Sequence, residues 1–162
     1  MQRLLLCEIS ELEDILEVPM KLQDMLGAAD ISRGTFNTLR SRGQLPFIER
    51  GIEGVTAQDR YQPAHLLGML AFAKLRSLGV EPVMAGEAVN ASWGDIRVIS
   101  GDAPDGNVIT GQCGIRLTAE GAEWFGSPNG LTGETIGGAH VNLRDLWSAY
   151  QSSLTAAEEA AA

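Results

Sequence analysis

MKLQDMLGAADISRGTFNTLRSRGQLPFIERGIEGVTAQDRYQPAHLLGMLAFAKLRSLG, residues 20–79, is the stretch that decides how this chain is read. Leu22, Met25 and Leu26 repeat at helical spacing, and Gly27 or a residue soon after ends that short helix. Asp30–Ile31–Ser32 is a turn, with Ser32 an N-cap for a second helix over Arg33–Arg42. Gly43, free to take positive φ, stops it. Leu45–Arg50, Gly51–Gly54 and Val55–Tyr61 then read as a β-hairpin. Pro63 suits the first turn of a long helix over Ala64–Leu78. Its Leu66, Leu67, Leu70, Phe72, Ala73 and Leu75 are enough to bury most of it, and Gly79 closes it.

Outward from this stretch the patterns change. Upstream, Ile9, Leu12, Ile15 and Leu16 form one stripe over Glu8–Val18, with Glu11, Glu13, Asp14 and Glu17 opposite. Pro19 breaks that pattern or opens the next helix. Downstream, Pro82 opens a helix over Glu81–Ala91. Beyond Trp93, eleven glycines fall between Gly94 and Gly138, with β-like runs at Ile96–Ser100, Asn107–Thr110 and Gly114–Thr118. Asp105–Gly106 is a turn signal between the first two. Ala119–Phe125 reads as one or two helical turns, and Ser127–Gly138 as loop. Leu143, Leu146, Trp147, Tyr150 and Leu154 line one face of a last helix starting near Asn142, and the tail Ala156–Ala162 is expected to fray. The expected fold class is α+β. The expected units are an acidic N-terminal helix (1–17), a helix–hairpin–helix region (18–93) and a Gly-rich β-containing region with a terminal helix (94–162).

Charge sharpens the reading. Residues 31–79 hold seven Lys and Arg against three acids, net +4, while residues 1–30 carry −5 and residues 80–162 carry −8, giving the chain its −9. Nucleic-acid binding follows the local field and not the total. In Ser32–Arg42 the inward positions are Phe36 and Leu39, and no acid occurs between Ile31 and Phe47. That pattern fits a helix-turn-helix whose second helix enters the major groove of duplex DNA. Arg33 and Asn37 carry the side chains that pair with guanine and adenine edges. Ser32, Thr35, Thr38, Arg40, Ser41 and Arg42 suit phosphate and sugar. The bland alternative is the solvated face of a short amphipathic helix, and the hairpin and long helix behind it tip the balance.

The runs DISRGTFNTLRSRGQLPF and DRYQPAHLLGMLAFAKLRSLGVEP resemble the winged helix-turn-helix of MerR-type regulators, over residues 20–92. The resemblance rests on Thr35–Phe36 opening the second helix, Gly43–Gln44–Leu45 ending it, Arg60–Tyr61 closing the wing, and Leu75–Val80 ending the long helix. It implies that Arg33, Thr35, Asn37 and Thr38 face the major groove. It also implies that Arg50 and Arg60 lie on the wing and that Tyr61 packs there or meets phosphate. The same region is similar to excisionase-type proteins and to small terminase subunits of tailed phages. The long dimerising helix of MerR-type proteins has no counterpart after Ala91; the Gly-rich segment stands there instead.

Useful affinity at a specific site ordinarily needs two modules on two half-sites. Leu143, Leu146, Trp147, Tyr150 and Leu154 are therefore the expected dimer or partner interface, unless that helix closes the C-terminal region internally. His65 and His140 have no partner at metal-ligand spacing. Cys113 has no recognisable base nearby, and Glu120, Glu123 and Glu134 are scattered. Gly111, Gly114, Gly137 and Gly138 read as turns, and Trp93 and Trp124 as core, with Trp124–Phe125 the place to look for a small-molecule pocket. Cys7 and Cys113 form no disulfide framework. The N-terminus lacks a signal-peptide pattern, and the longest apolar run, Leu66–Ala73, falls well short of a membrane span. The expectation is thus a cytoplasmic, dimeric transcriptional regulator binding double-stranded DNA, with no enzyme activity, cofactor, metal or membrane. The runner-up is a phage-type accessory nucleoprotein that binds DNA and a transcription or assembly partner. A third reading is a module whose basic face binds an acidic protein.

Overall fold

The computed structural model describes residues 20–50, 61–126 and 134–162. The acidic stripe of residues 8–18, the turn and second strand expected at 51–60, Arg60, Cys7 and residues 127–133 lie outside the described residues. In chain order the elements are α1 (Leu22–Ala28), α2 (Arg33–Ser41), a 3-10 turn (Pro46–Glu49), α3 (Pro63–Ser77), α4 (Pro82–Ala91), α5 (Trp93–Ser100), β1 (Gln112–Thr118), β2 (Gly121–Trp124), β3 (Gly137–Asn142) and α6 (Leu143–Ala161). The protein is α+β, with one three-stranded antiparallel sheet ordered β2-β1-β3 among the described residues.

α3 is the axis of the core. Ala64, Leu66, Leu67, Met69, Ala71, Phe72 and Leu75 are all buried along it. α1 lies on it through Met25 and Leu26, α2 contributes Phe36 to the same core, and α4 adds Ala85, Ala88 and Val89. Packing does not stop at residue 93. Trp93, Ile96, Cys113, Val141 and Leu143 belong to the same cluster, so the two regions expected as separate units share one core. Gly86 shows how close the approach is: a Cβ there would collide with the Gln44 carbonyl, so α4 crosses directly over the turn that follows α2.

The N-terminus of α3 is tied from three directions. His65 Nδ1 accepts the Gln62 N–H at 3.0 Å, closing a capping box. That leaves Nε2 as the protonated nitrogen, and it donates to the Arg50 carbonyl at 2.7 Å. Asp102, 38 residues on, accepts the Ala64 N–H at 2.6 Å. The His65 ring packs against Trp93 and edge-on to Tyr61, with centroids 5.3 and 5.7 Å away. Burial of the ring pushes His65 below the ordinary histidine value, against weaker opposition from its bond to the Arg50 carbonyl and from the Asp102 and Glu49 carboxylates. Its folded-state affinity for protons is therefore lower than in the unfolded chain. The stability it contributes is complete above the ordinary value of about 6.5 and declines as pH falls from there through the lowered one. Imidazole resonances followed by NMR should titrate below 6.5 for His65, and the urea midpoint should fall between pH 7 and 5.5. A ring that titrates at or above 6.5 would contradict this burial.

Several elements differ from the sequence expectation, each for a physical reason. Leu45–Arg50 does not form a strand. Phe47 and Ile48 are both buried, which two successive strand residues facing opposite sides cannot achieve against one core, whereas a 3-10 turn can. Ile96–Ser100 is part of α5 despite its β-branched residues, because Ile96 and Trp93 fill the core from one helical face. Asn107–Thr110 forms no strand, since the backbone N–H groups of Ile109 and Thr110 are taken by the Asp95 carboxylate. Ala119–Phe125 is not helical: Ala119 and Glu120 form the turn, and β2 pairs Ile115↔Trp124 through Thr118↔Gly121. Arg116 and Glu123, opposite each other, are joined at 2.7 Å. Gly114, Gly137 and Gly138 are strand residues rather than turns. The tail does not fray before Ala161, in keeping with its Ala and Glu content.

The long helix over Pro63–Ser77, the strand around Gly114–Thr118 and the last helix all stand where expected. Gly43 ends α2 with φ 67°. Asn142 caps α6, its Oδ1 accepting the N–H groups of Arg144 and Asp145 at 3.0 and 3.1 Å. No helix among the described residues is long and apolar enough to cross a membrane.

Candidate nucleic-acid interface

α2 is held by its inward face and leaves the rest to solvent. Phe36 is fully buried and Leu39 half-buried, which anchors the helix against α1 and the core. α1 and α2 are joined by Ala29–Ser32, where Asp30 takes φ 53° and the Ile31 N–H bonds the Leu26 carbonyl at 3.0 Å. The Ser32 hydroxyl accepts the Thr35 N–H at 3.1 Å and lies 2.9 Å from the Thr35 hydroxyl. Thr38 and Ser41 turn their hydroxyls inward, donating to the Gly34 and Thr38 carbonyls at 3.0 Å each. Arg33, Gly34, Thr35, Asn37, Thr38, Ser41 and Arg42 are exposed along the outer face.

Arginine by arginine, the surface is less uniform than the composition implied. Among the described residues the side chains of Arg33, Asn37, Arg42 and Arg50 have no hydrogen-bond or ion-pair partner. Arg40 does: its Nε donates to Glu49 Oε1 at 2.7 Å. That bond holds the guanidinium still more firmly protonated but matches its charge. Arg40 is therefore corrected from a free phosphate ligand to one masked by an acid of the same surface. Glu49 is the residue the sequence reading missed; its charge was visible, but nothing in the spacing brings position 49 to position 40 before the 3-10 turn forms. Both side chains stay well exposed, at 38% and 55%, so the pair adds little to stability. Replacing Glu49 with Gln should leave the urea midpoint nearly unchanged. It should tighten binding to any duplex by roughly two- to five-fold and steepen the salt slope by about 0.9. Weaker binding in a fluorescence-anisotropy titration would show that Arg40 does not meet phosphate.

Two further site residues are corrected by burial. Tyr61 is 4% exposed and sits in the core, bridged to Met20 through both backbone bonds at 3.1 and 3.3 Å, so its ring does not reach a ligand at the surface. Leu143 is wholly buried and cannot belong to an intermolecular seam. Leu146, Trp147 and Tyr150 are half-buried against the same core, with the Trp147 and Tyr150 rings 5.5 Å apart. The first half of α6 thus closes the fold internally. Of the expected interface only Leu154, 46% exposed, remains open, on a half-helix from Gln151 onward that is exposed throughout.

The remaining chemistry-bearing side chains have structural duties. Cys113 is buried on β1, and burial pushes its thiol up to about 12, so no thiolate forms near neutral pH. Ser92–Trp93–Gly94–Asp95 has the spacing of a capping box, yet neither side chain caps α5. The Ser92 hydroxyl lies 3.2 and 3.0 Å from the Gln112 and Phe125 carbonyls. Asp95 accepts the N–H groups of Ile109, Thr110 and Gly111 at 2.7, 2.9 and 2.8 Å. Among the described residues no three His, Cys, Asp or Glu side chains gather as a metal site. Compared with protein-family models, curated proteins and solved structures, the chain matches none.

Proposed function

We propose that the protein binds double-stranded DNA in a sequence-selective manner through α2, in the manner of a winged helix-turn-helix, and acts as a transcriptional regulator without a catalytic step. The observation that carries this reading is the outer face of α2. Arg33, Asn37 and Arg42 stand exposed with no partner among the described residues, on a helix pinned by Phe36. A side chain left free at the edge of a rigid helix is what base-edge recognition requires. Gly34 in the first turn leaves open space around it, which allows close approach of a phosphate to the helix N-terminus. Arg50, exposed after the 3-10 turn, extends the positive surface.

The same reading calls for two copies on two half-sites, since one module with few free cations among the described residues binds weakly. The exposed half of α6 from Gln151, with Leu154 and the alanines beyond it, offers a surface for a second copy. An isolated helix of that length is marginal in water, and pairing supports it. Selection of bound duplexes from a random pool is the decisive experiment. A recovered motif with two related halves supports the proposal, and an unselected pool overturns it. In the same binding assay, three free arginines together with Arg60 give a salt slope of about −3 to −4 per monomer. Deleting residues 151–162 spares Leu143 and the core. It should convert dimer to monomer in sedimentation and halve the slope.

A further inference from the structure

The junction of α1 and α2 leaves an open cleft of about 390 Å3, lined by Leu22, Gln23, Leu26, Gly27, Ile31 and Arg33. Its apolar surface is Leu22, Leu26 and Ile31. Leu26 is buried, but Leu22 and Ile31 are only half-buried against the core. An added Cβ at Gly27 would meet no atom within 4 Å, so there is room over α1 at that point. Arg33 borders the cleft with its side chain exposed and no ion pair among the described residues. Lys21, at the start of α1, is exposed as well. Asp24, the acid of α1, lies on a different flank of the helix, near Tyr150, whose phenol is raised first by burial and then by that carboxylate. What fits this surface is an apolar stripe edged by acids.

The chain carries such a stripe close by. Glu8–Val18 holds Ile9, Leu12, Ile15 and Leu16 together with Glu8, Glu11, Glu13, Asp14 and Glu17, and no Lys or Arg. Four apolar side chains at helical spacing need an apolar surface to cover them. Only Pro19, Met20 and Lys21 separate this segment from Leu22, a connection of the length that joins antiparallel helix pairs. Met20 is fixed there by both of its backbone bonds to Tyr61, so the segment departs from a set point beside α1. So short a tether gives an effective concentration on the order of millimolar or above, and weak docking then suffices.

We propose that Glu8–Val18 docks in this cleft of its own chain, with its apolar stripe on Leu22, Leu26 and Ile31 and its acids beside Arg33, and that it holds α2 off DNA until a duplex displaces it. The docking itself needs no DNA, while its regulatory consequence rests on the DNA-binding reading above. Phosphate and the carboxylates of the segment compete for the same guanidinium. A segment lying over Ile31 and Arg33 also obstructs entry of the α2 N-terminus into the major groove.

The test compares the full chain, its methyl groups labelled with 13C, with a full chain carrying Leu12→Ser and Ile15→Ser. Those changes spoil the stripe and leave the net charge at −9. In the unaltered chain, nuclear Overhauser contacts should join the Leu12 and Ile15 methyls to those of Leu22 and Ile31. In the substituted chain the Leu22 and Ile31 methyls should shift. Random duplex should then bind about five- to ten-fold more tightly, as follows if the docked state holds roughly 80–90% of the free protein. Because the two chains have equal charge, that gain does not come from weaker repulsion of phosphate. Missing Overhauser contacts, or equal and measurable duplex affinity of the two chains, would overturn the proposal. Contacts that vanish on dilution would place a second copy's segment in the cleft and overturn it too. Contacts present in a chain that binds no duplex, substituted or not, would sink the DNA reading and uphold the docking.

Discussion

Asp95→Ala should cost about 3–5 kcal/mol of folding stability, since it leaves three backbone donors without an acceptor. Asp95 is 2% exposed, and its two oxygens take the N–H groups of Ile109, Thr110 and Gly111 at 2.7, 2.9 and 2.8 Å, with the Thr110 hydroxyl at 3.4 Å. Gly111 is itself buried, and its carbonyl accepts the N–H of Leu143, the first residue of α6. Loss of the carboxylate therefore loosens the approach to β1 and the seat of α6 together. For a chain of this size the melting temperature should fall by roughly 10 °C or more. Asp95→Asn should lie between, because the amide keeps one acceptor but turns an N–H toward other N–H groups. Urea denaturation of both variants measures this directly. A loss under about 1 kcal/mol for Asp95→Ala would mean that solvent reaches these amides and replaces the carboxylate.

Asn37→Ala and Arg33→Ala should each reduce discrimination between a selected DNA site and a random duplex by about five- to 150-fold, the worth of one bidentate base contact. Neither side chain is engaged within the fold among the described residues, so truncation should leave stability within about 0.5 kcal/mol. The two changes separate on random duplex. Asn37→Ala removes no charge and should leave non-specific affinity and salt slope as they were. Arg33→Ala removes a cation and should flatten the slope by about 0.9. Competition binding at several salt concentrations reads both quantities. An equal loss on every sequence for Asn37→Ala would remove it from base readout and leave α2 a purely electrostatic surface.

Local patterns in the chain determined a good deal. The apolar spacing of Leu66 to Leu75 marked α3, Ser32 and Gly43 bounded α2, and Asn142 marked the start of α6, because capping and amphipathic periodicity are properties of a few neighbouring residues. Phe36 was legible as the anchor of α2 for the same reason. What the tertiary structure alone decided involves partners distant in the chain. Glu49 cancels Arg40, nine residues away; Asp95 gathers Ile109 to Gly111; Asp102 caps α3 across 38 residues. Burial overrode β-propensity in Ile96–Ser100, because Ile96 and Trp93 had to reach one core from one face. It also moved Leu143 and Tyr61 from candidate surface to interior. A hydrophobic stripe states that a face will be covered, but whether its cover is the same chain or another is set by where the rest of the chain folds, which no local spacing encodes.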